Sequence, residues 1–125
     1  MASQKPRIAL FCGDPAEIGP ELMQKLLDDP SALESAHIHL IGQKNALRVP
    51  SMVSLHDWNG LHSPPFECGL ASKENGRYML DGLKEGLGLV QAGKVDALCF
   101  APLNKSALRA GGMEQEDELS WFIKH

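Results

Sequence analysis

The stretch Ile8–Leu27, which reads IALFCGDPAEIGPELMQKLL, decides the fold. Its first five residues, Ile8–Cys12, are all apolar, which predicts a strand buried on both faces. A turn rich in glycine and proline follows, and Pro20 takes the first position of a predicted helix that continues to Leu27. Asp28-Asp29-Pro30 ends that helix, because proline cannot continue it. The predicted buried face of the helix carries four apolar residues: Leu22, Met23, Leu26 and Leu27.

The rest of the chain repeats this alternation of short apolar runs and longer segments with a helical period. Further strands are predicted at His37–Ile41, Val53–Leu55 and Val95–Phe100. Further helices are predicted near Lys44–Arg48, over Ser72–Gln91, up to about Ala110, and from Glu116 to His125. The segment Asp57–Cys68 is rich in Gly, Pro, Ser and Asn, which predicts a loop. We therefore expect residues 1–125 to form a single α/β unit, with a mainly parallel sheet and flanking helices.

The predicted helix Ser72–Gln91 has a clear buried stripe, formed by Met79, Leu83, Leu87 and Val90. Gly93 lies where a C-terminal cap is expected. Three further glycines, Gly82, Gly86 and Gly88, fall inside the helix and not in a strand-to-helix turn, so they are not a dinucleotide fingerprint. Because each costs about 1 kcal/mol relative to alanine, we expect close packing against a neighbour at these positions.

Composition excludes several classes of protein. A chain of 125 residues with a net charge of -4 fits one domain, and its charge argues against a nucleic-acid partner. The apolar run after the polar N-terminus is too short for a signal peptide or a membrane span, so we expect a cytoplasmic protein with no membrane partner. Cys12 and Cys99 end apolar runs, and together with Cys68 they form no CxxC pair, which favours buried thiols in a reducing compartment.

The histidines do not predict a metal site. His37 and His39 would share one face of a strand, a spacing that can chelate, but a structural or solvent-facing role is favoured. The other three, His56, His62 and His125, match no ligand motif.

The turn Gly13–Glu21 is the first candidate site. Ligands of open α/β sheets bind at the carboxyl ends of the strands, and a helix N-terminus attracts anions. The alternative is a purely structural turn, in which Glu21 complements the helix dipole. Spacing alone leaves both interpretations open and favours the structural one.

Two motifs carry a resemblance to a known family. The turn GDPAEIGPE at Gly13–Glu21 resembles the N-terminal signature of the 4-hydroxythreonine-4-phosphate dehydrogenase family. Asp96–Lys105, which reads DALCFAPLNK, is similar to that family's strand and its TAP(I/V)(N/H)K motif. Gly69-Leu70-Ala71-Ser72 fits a G-x-x-S/T entry to the long helix. The resemblance covers essentially the whole chain, which is identified as the N-terminal portion of such an enzyme.

The resemblance implies a two-domain enzyme, related in fold to the isocitrate and isopropylmalate dehydrogenases, that works as a homodimer. Such enzymes oxidise a phosphorylated hydroxy acid such as 4-phosphohydroxy-L-threonine with NAD or NADP, and the keto acid then loses carbon dioxide. A divalent metal (Zn, Mg or Co) holds the substrate in these enzymes, and its ligands lie beyond the region that this chain matches. The resemblance identifies no cofactor-binding residue here. We therefore expect the isolated 125-residue chain to be inactive and to expose apolar sheet edges, with poor solubility or oligomerisation.

The resemblance also places individual residues. Asp14 would line the cleft, while Asn104 would contact substrate and Lys105 would act in catalysis. The alternatives are that Lys105 is a solvated lysine at a helix start and that Asn104 is a plain N-cap. Glu116 and Asp117 occupy the substrate-binding positions where the family has the His and Thr of GHTE.

Two departures from the family pattern concern the substrate. Glu17 stands where the family turn has glycine, and a carboxylate there would repel a phosphate. Glu116 and Asp117 replace an imidazole and a hydroxyl with two further carboxylates. A paralogue that acts on a sugar acid phosphate or on a cyclic diol acid is therefore an alternative, as is a non-catalytic α/β module that binds an anion at the helix after Asp14.

Overall fold

The described strands form one parallel sheet that is flanked by helices. The computed structural model describes residues 5–13, 18–42, 47–57, 73–115 and 118–125. The strands are β1 Arg7–Phe11, β2 His37–Gly42, β3 Ser54–Asp57 and β4 Ala97–Phe100, in the spatial order β3-β2-β1-β4. The helices are α1 Gly19–Leu27, α2 Pro30–Ser35, α3 Lys73–Gln91, α4 Lys105–Ala110 and α5 Glu118–Lys124. The predicted α/β fold with a parallel sheet is confirmed. In the described part of the chain, no helix is long and apolar enough to span a membrane.

Strand β1 is the centre of the sheet because it pairs with β2 on one side and with β4 on the other. Its side chains alternate between two apolar clusters. Ala9 and Phe11 pack on the face covered by α3, whereas Leu10 packs with α1 on the opposite face. Full burial of an apolar side chain stabilises the fold by about 1.5–3 kcal/mol, so β1 anchors both layers. The predicted burial of this strand on both faces is confirmed.

Helix α1 follows the prediction with one exception. Met23 and Leu27 are buried, but Leu22 is 40% exposed, so its assignment to the buried face was wrong. The sequence analysis also missed α2. Pro30 is the first residue of α2, and the Asp29 carboxylate caps it by accepting hydrogen bonds from the Ser31 N–H (3.0 Å) and hydroxyl (2.8 Å). Asp29-Pro30 therefore begins a second helix as well as ending the first.

The segment around Arg48 is not helical, contrary to the helix predicted near Lys44–Arg48. Residues 44–46 lie outside the described residues. Arg48 instead ties the connection between β2 and β3 to α1: its N–H donates to the Gln24 side chain (2.8 Å), and its guanidinium contacts Asp28 (3.2 Å). Strand β3 begins at Ser54 and includes Asp57, where a loop was predicted, and the rest of that predicted loop lies outside the described residues.

Helix α3 ends as predicted at a glycine. Gly93 has φ +72°, its N–H donates to the Val90 carbonyl (3.0 Å), and the Lys94 N–H donates to the Leu89 carbonyl (3.0 Å). This pair of bonds is a Schellman cap. The predicted stripe is buried at Met79 and Leu83 and partly buried at Leu87 and Val90. It is wider than predicted, because three more apolar residues are buried: Tyr78, Leu80 and Leu89.

The glycines of α3 fit the packing prediction at two of three positions. A Cβ at Gly82 would overlap the Phe11 ring, and one at Gly86 would lie 2.6 Å from the Leu98 side chain. These glycines let α3 approach the sheet closely. Gly88 has nothing within 4 Å of an added Cβ, so the packing prediction was wrong there.

Strand β4 is exposed along much of its length. It begins at Ala97 rather than at the predicted Val95, and it has no second neighbour among the described strands. Phe100 is 39% exposed, and Cys99 is exposed, so its predicted burial was wrong. Cys12 is buried as predicted, and burial raises the pKa of its thiol to about 12. The prediction of an exposed apolar edge is confirmed at β4, where Ile123 of α5 adds a side chain that is 79% exposed.

Candidate functional site

The two motifs singled out in the sequence meet at the carboxyl ends of β1 and β4. The Ala101 N–H donates to the Phe11 carbonyl (3.0 Å), which continues the pairing of the strands beyond their last residues. Gly13 then turns with φ +79°, and a Cβ there would lie 2.6 Å from the Pro102 carbonyl oxygen. Only glycine combines this backbone conformation with so close an approach. The turn after β1 and the segment after β4 are therefore built against each other.

The start of α1 closes one side of this junction. Gly19 lies against the Cys12 carbonyl, and a Cβ at Gly19 would also lie 3.2 Å from the Ala101 side chain. Ile18, at the N-cap position, provides no side-chain hydrogen bond to the helix. The start of α1 therefore lies at the carboxyl end of the sheet, where ligands of open α/β folds bind.

A cleft of about 270 Å³ lies at this junction, and it is lined by Ile18, Pro102, Leu103 and Asn104. Ile18 is 54% exposed, so the cleft has an apolar wall that is open to solvent. Asn104 contributes a polar side chain to the lining of the cleft. A cleft that combines an apolar wall with a few polar groups is the usual form of a small-molecule site.

Asn104 caps α4, as one of the two interpretations of its role predicted. Its Oδ1 accepts a hydrogen bond from the Ala107 N–H at 3.1 Å. Because the carbonyl oxygen of the amide is used by the helix, the amide Nδ2 is the group that can donate to a ligand in the cleft. Among the described residues, no hydrogen bond from Nδ2 is formed. The Asn104 side chain can thus cap α4 through Oδ1 and contact a substrate through Nδ2 at the same time.

Lys105 is the first residue of α4, and its side chain is exposed. A cation at a helix N-terminus is opposed by the helix dipole, and the first turn of α4 contains no acidic residue that would compensate. Within the described residues, Lys105 has no ion pair. Helix stability therefore does not account for a lysine at this position next to the cleft.

Several predicted site residues lie outside the described residues: Asp14, Glu17, Glu116, Asp117 and the run Gly69–Ser72. Gln115, immediately before Glu116, is described. It lines a second cavity of about 210 Å³ between α3 and α5, together with Arg77, Lys84 and Lys124. The structure thus places Asn104 at the cleft and Lys105 next to it in the chain. The functional roles of all the predicted site residues stay predictions.

A pair of histidines was missed by the sequence analysis. His39 Nδ1 and His56 Nε2 are 3.3 Å apart on neighbouring strands. The pKa of His39 is lowered by its burial and by the charges of His56, Arg7 and His37. The available signal was that His39 lies in one predicted strand and that His56 directly follows another, Val53–Leu55. Only the register of β2 and β3 shows that the two histidines meet.

The described residues do not fit the divalent metal that the family resemblance implies. They contain no group of three or more His, Cys, Asp or Glu side chains that could hold a metal ion. No step of the chemistry below is therefore assigned to a metal in this part of the chain.

A family model described as pyridoxal phosphate biosynthetic protein PdxA matches residues 8–125. A Pasteurella multocida protein, provisionally named 4-hydroxythreonine-4-phosphate dehydrogenase, is 38% identical over 145 aligned positions that cover 96% of this chain and 43% of the relative. A Clostridium botulinum protein, provisionally named D-threonate 4-phosphate dehydrogenase, is 24% identical, with coverage of 90% and 41%. The chain thus spans less than half the length of these relatives.

Solved structures show the same similarity. A 4-hydroxythreonine-4-phosphate dehydrogenase from Burkholderia phymatum superposes with a TM-score of 0.87 and 26% identity, covering 98% of this chain and 44% of that chain. A terephthalate 1,2-cis-dihydrodiol dehydrogenase from Burkholderia xenovorans LB400 has a TM-score of 0.63 and 26% identity, with coverage of 89% and 38%. Both names describe dehydrogenases, and they differ in substrate.

Proposed function

Since the chain belongs to the family of the pyridoxal phosphate biosynthetic protein PdxA, we propose that it is the N-terminal part of a dehydrogenase that oxidises a phosphorylated hydroxy acid. The observation that carries this proposal is the meeting of the two family motifs at one cleft. Gly13 of the first motif packs on the Pro102 carbonyl of the second, and Asn104 lines the cleft they form. The names of the relatives support the reaction class.

Asn104 and Lys105 have distinct roles in this proposal. The Asn104 Nδ2 donates a hydrogen bond to an oxygen of the substrate while Oδ1 keeps the cap of α4. The Lys105 ammonium faces the negative charge of the substrate and stabilises the alkoxide character that develops as the alcohol is oxidised. Both groups stand at the start of a helix that Ala107 and Leu108 bury against α3, so their positions are fixed by packing.

The redox step needs a cofactor and a metal whose sites we place elsewhere in the protein. When bound, NAD or NADP would supply the hydride acceptor, and a divalent metal would supply a Lewis acid for the oxidation of the alcohol. The alcohol proton leaves to a base, and the resulting keto acid loses carbon dioxide. Because the chain spans less than half the length of its relatives, we propose that the 125-residue chain alone is inactive.

For the substrate, we propose 4-phosphohydroxy-L-threonine first, with two alternatives. Glu17, Glu116 and Asp117 add negative charge at positions where the family pattern has none, which disfavours a phosphate in the usual place. The names of the Clostridium botulinum relative and the Burkholderia xenovorans structure favour a sugar acid 4-phosphate and a cyclic diol acid as the alternatives. We also propose a cytoplasmic homodimer, as the family resemblance implies.

The test is NAD and NADP reduction by the longest product of this gene, with each of these acids, with and without Zn²⁺, Mg²⁺ or Co²⁺. We expect metal-dependent turnover of one acid. Lys105→Met should then lower kcat/KM by about 100- to 1,000-fold, the usual cost of removing one group that stabilises developing charge. Lys94→Met is the matched control, since Lys94 is an exposed lysine in the turn after α3.

Two results would contradict the proposal. An equal loss of kcat/KM in both lysine variants would show that Lys105 is not part of the site. No turnover of any acid by a folded, metal-loaded protein, combined with binding of inorganic phosphate, would instead favour the non-catalytic anion-binding module.

A further inference from the structure

The histidine pair of β2 and β3 lies on a different part of the sheet from the cleft. His39 pairs in register with Ser54, and Ile41 pairs with His56, so the two histidines are diagonal neighbours on parallel strands. Their rings are 5.6 Å apart between centroids and inclined by 33°. Neither residue is used by the proposed dehydrogenase site, which lies at the carboxyl ends of β1 and β4.

The pair is accessible because α3 covers only part of its face of the sheet. Ile41 packs in the same cluster as α3, and His39, two residues earlier on the strand, points to the same side. Helix α3 lies over β1 and β4, and both His39 and His56 are only half-buried. Among the described residues, therefore, the two imidazoles are not fully covered, and an ion can reach them without disturbing the apolar core.

We propose that His39 and His56 form a two-histidine binding site for a first-row transition-metal ion, with water in the remaining positions. The distance between their nearest ring nitrogens, 3.3 Å, supports this assignment. Two nitrogens that each lie about 2.0–2.1 Å from a tetrahedral Zn²⁺ are roughly 3.3–3.4 Å apart. Imidazole is a preferred ligand of Zn²⁺, Ni²⁺ and Cu²⁺, so the ring nitrogens already have the separation that chelation needs.

The protonation state of His39 favours metal binding near neutral pH. A histidine binds metal through a neutral ring, and the pKa of His39 is lowered by burial and by the neighbouring charges of His56, Arg7 and His37. The charges of Arg7 and His37 also weaken the attraction of a divalent ion, so the site is expected to be weaker than a closed structural zinc site. Among the described residues, no third ligand joins the pair, which makes the site open and exchangeable.

This site is separate from the metal that the family resemblance implies. The ligands of that metal are expected beyond this chain, whereas β3 is at the opposite edge of the sheet from β4. The inference therefore does not depend on the proposed function, and a protein without dehydrogenase activity could still bind metal here.

The experiment is a calorimetric Zn²⁺ titration of the longest product of this gene at pH 7.5. We expect His39→Gln and His56→Gln each to bind one Zn²⁺ per chain fewer than the unsubstituted protein. His37→Gln is the matched control, because it removes an exposed histidine of the same strand and should keep the full number. If either pair variant binds as many ions as the unsubstituted protein, the proposal is wrong.

A second measurement uses no variant and so does not depend on variant folding. Diethyl pyrocarbonate acylates accessible imidazole nitrogens, and mass spectrometry locates the modified histidines. Zn²⁺ should protect His39 and His56 together and leave His37 reactive. Protection of neither member of the pair would show that the 3.3 Å contact is only a hydrogen bond between two side chains.

Discussion

The two halves of the sheet use different kinds of contact. In the β1–β4 half, main chains approach each other closely, as at Gly13 against the Pro102 carbonyl, and glycine is required where they do. In the β2–β3 half, side chains meet across strands, as in the pair His39–His56. A main-chain approach requires particular residues in a fixed local order, and such an order is what a sequence motif records. A side-chain pair depends on the register of two distant segments and produces no motif.

The first prediction tests whether close main-chain packing is what holds the β1–β4 half together. Gly76 of α3 lies against α4, and a Cβ there would overlap the Ala107 carbonyl and lie 2.9 Å from the Gly111 nitrogen. Because main-chain atoms cannot rotate away, we expect Gly76→Ala to lower the free energy of unfolding by about 3 kcal/mol or more. Chemical denaturation of the longest soluble product measures this loss.

Gly88→Ala is the matched control in the same helix. Nothing lies within 4 Å of a Cβ at Gly88. Alanine there should stabilise the helix by about 0.5–1 kcal/mol, since it removes only the entropic cost of glycine. Equal effects of the two substitutions would mean that the contact between α3 and α4 does not limit stability.

The second prediction compares two helix caps, one in each half. Asn104 caps α4 through Ala107, and Asp29 caps α2 through Ser31. Replacing either residue with alanine should cost about 1 kcal/mol of stability. Only Asn104→Ala should also raise KM for the substrate, because only its amide lines the cleft.

Asn104→Asp separates the two roles of Asn104. Aspartate keeps the cap but has no amide N–H to donate. We expect nearly unchanged stability and a raised KM. If the Asn104→Asp variant had an unchanged KM, Asn104 would cap α4 but would not contact the substrate.

The same contrast explains what could be predicted from the sequence. The apolar run before Gly13 predicted β1, because burial on both faces leaves a continuous apolar run. The apolar segment before Asn104 likewise predicted β4, although much of β4 is exposed. The Schellman cap at Gly93 was also predictable, since a positive φ restricts the residue type.

The sequence predictions were wrong or incomplete where burial or a helix boundary depends on contacts with distant parts of the chain. Cys99 has the apolar neighbours of a buried residue, yet β4 has no second partner among the described strands, and its thiol is exposed. Asp29-Pro30 is compatible both with the end of one helix and with the start of the next, and only the structure shows both. For the candidate site, the motif after β4 singled out Asn104, which lines the cleft, but only the structure shows which amide atom caps the helix. The role of Lys105 stays a prediction.

The third prediction, with the smallest expected effect, concerns how low pH changes the stability of the β2–β3 half through His39. In the folded chain the pKa of His39 is lowered from its usual value of 6.5, first by burial and then by the charges of His56, Arg7 and His37. The unfolded chain therefore binds this proton more readily than the folded chain. The stability that the folded protein gains from a neutral His39 is fully present above about pH 6.5. It is lost as the pH falls through the lowered pKa. His39→Gln should make stability less dependent on pH in this window, as measured by denaturation at several pH values.

An NMR titration of the His39 ring provides the direct measurement. A midpoint below 6.5 is expected, and a midpoint at or above it would contradict the burial of this ring. Because His39 is only half-buried, solvent screens the charges around it, and the effect should be much smaller than the loss in Gly76→Ala. If acid instead destabilised the protein as strongly as that substitution does, a side-chain contact would matter as much as main-chain packing, and the contrast between the two halves of the sheet would fail.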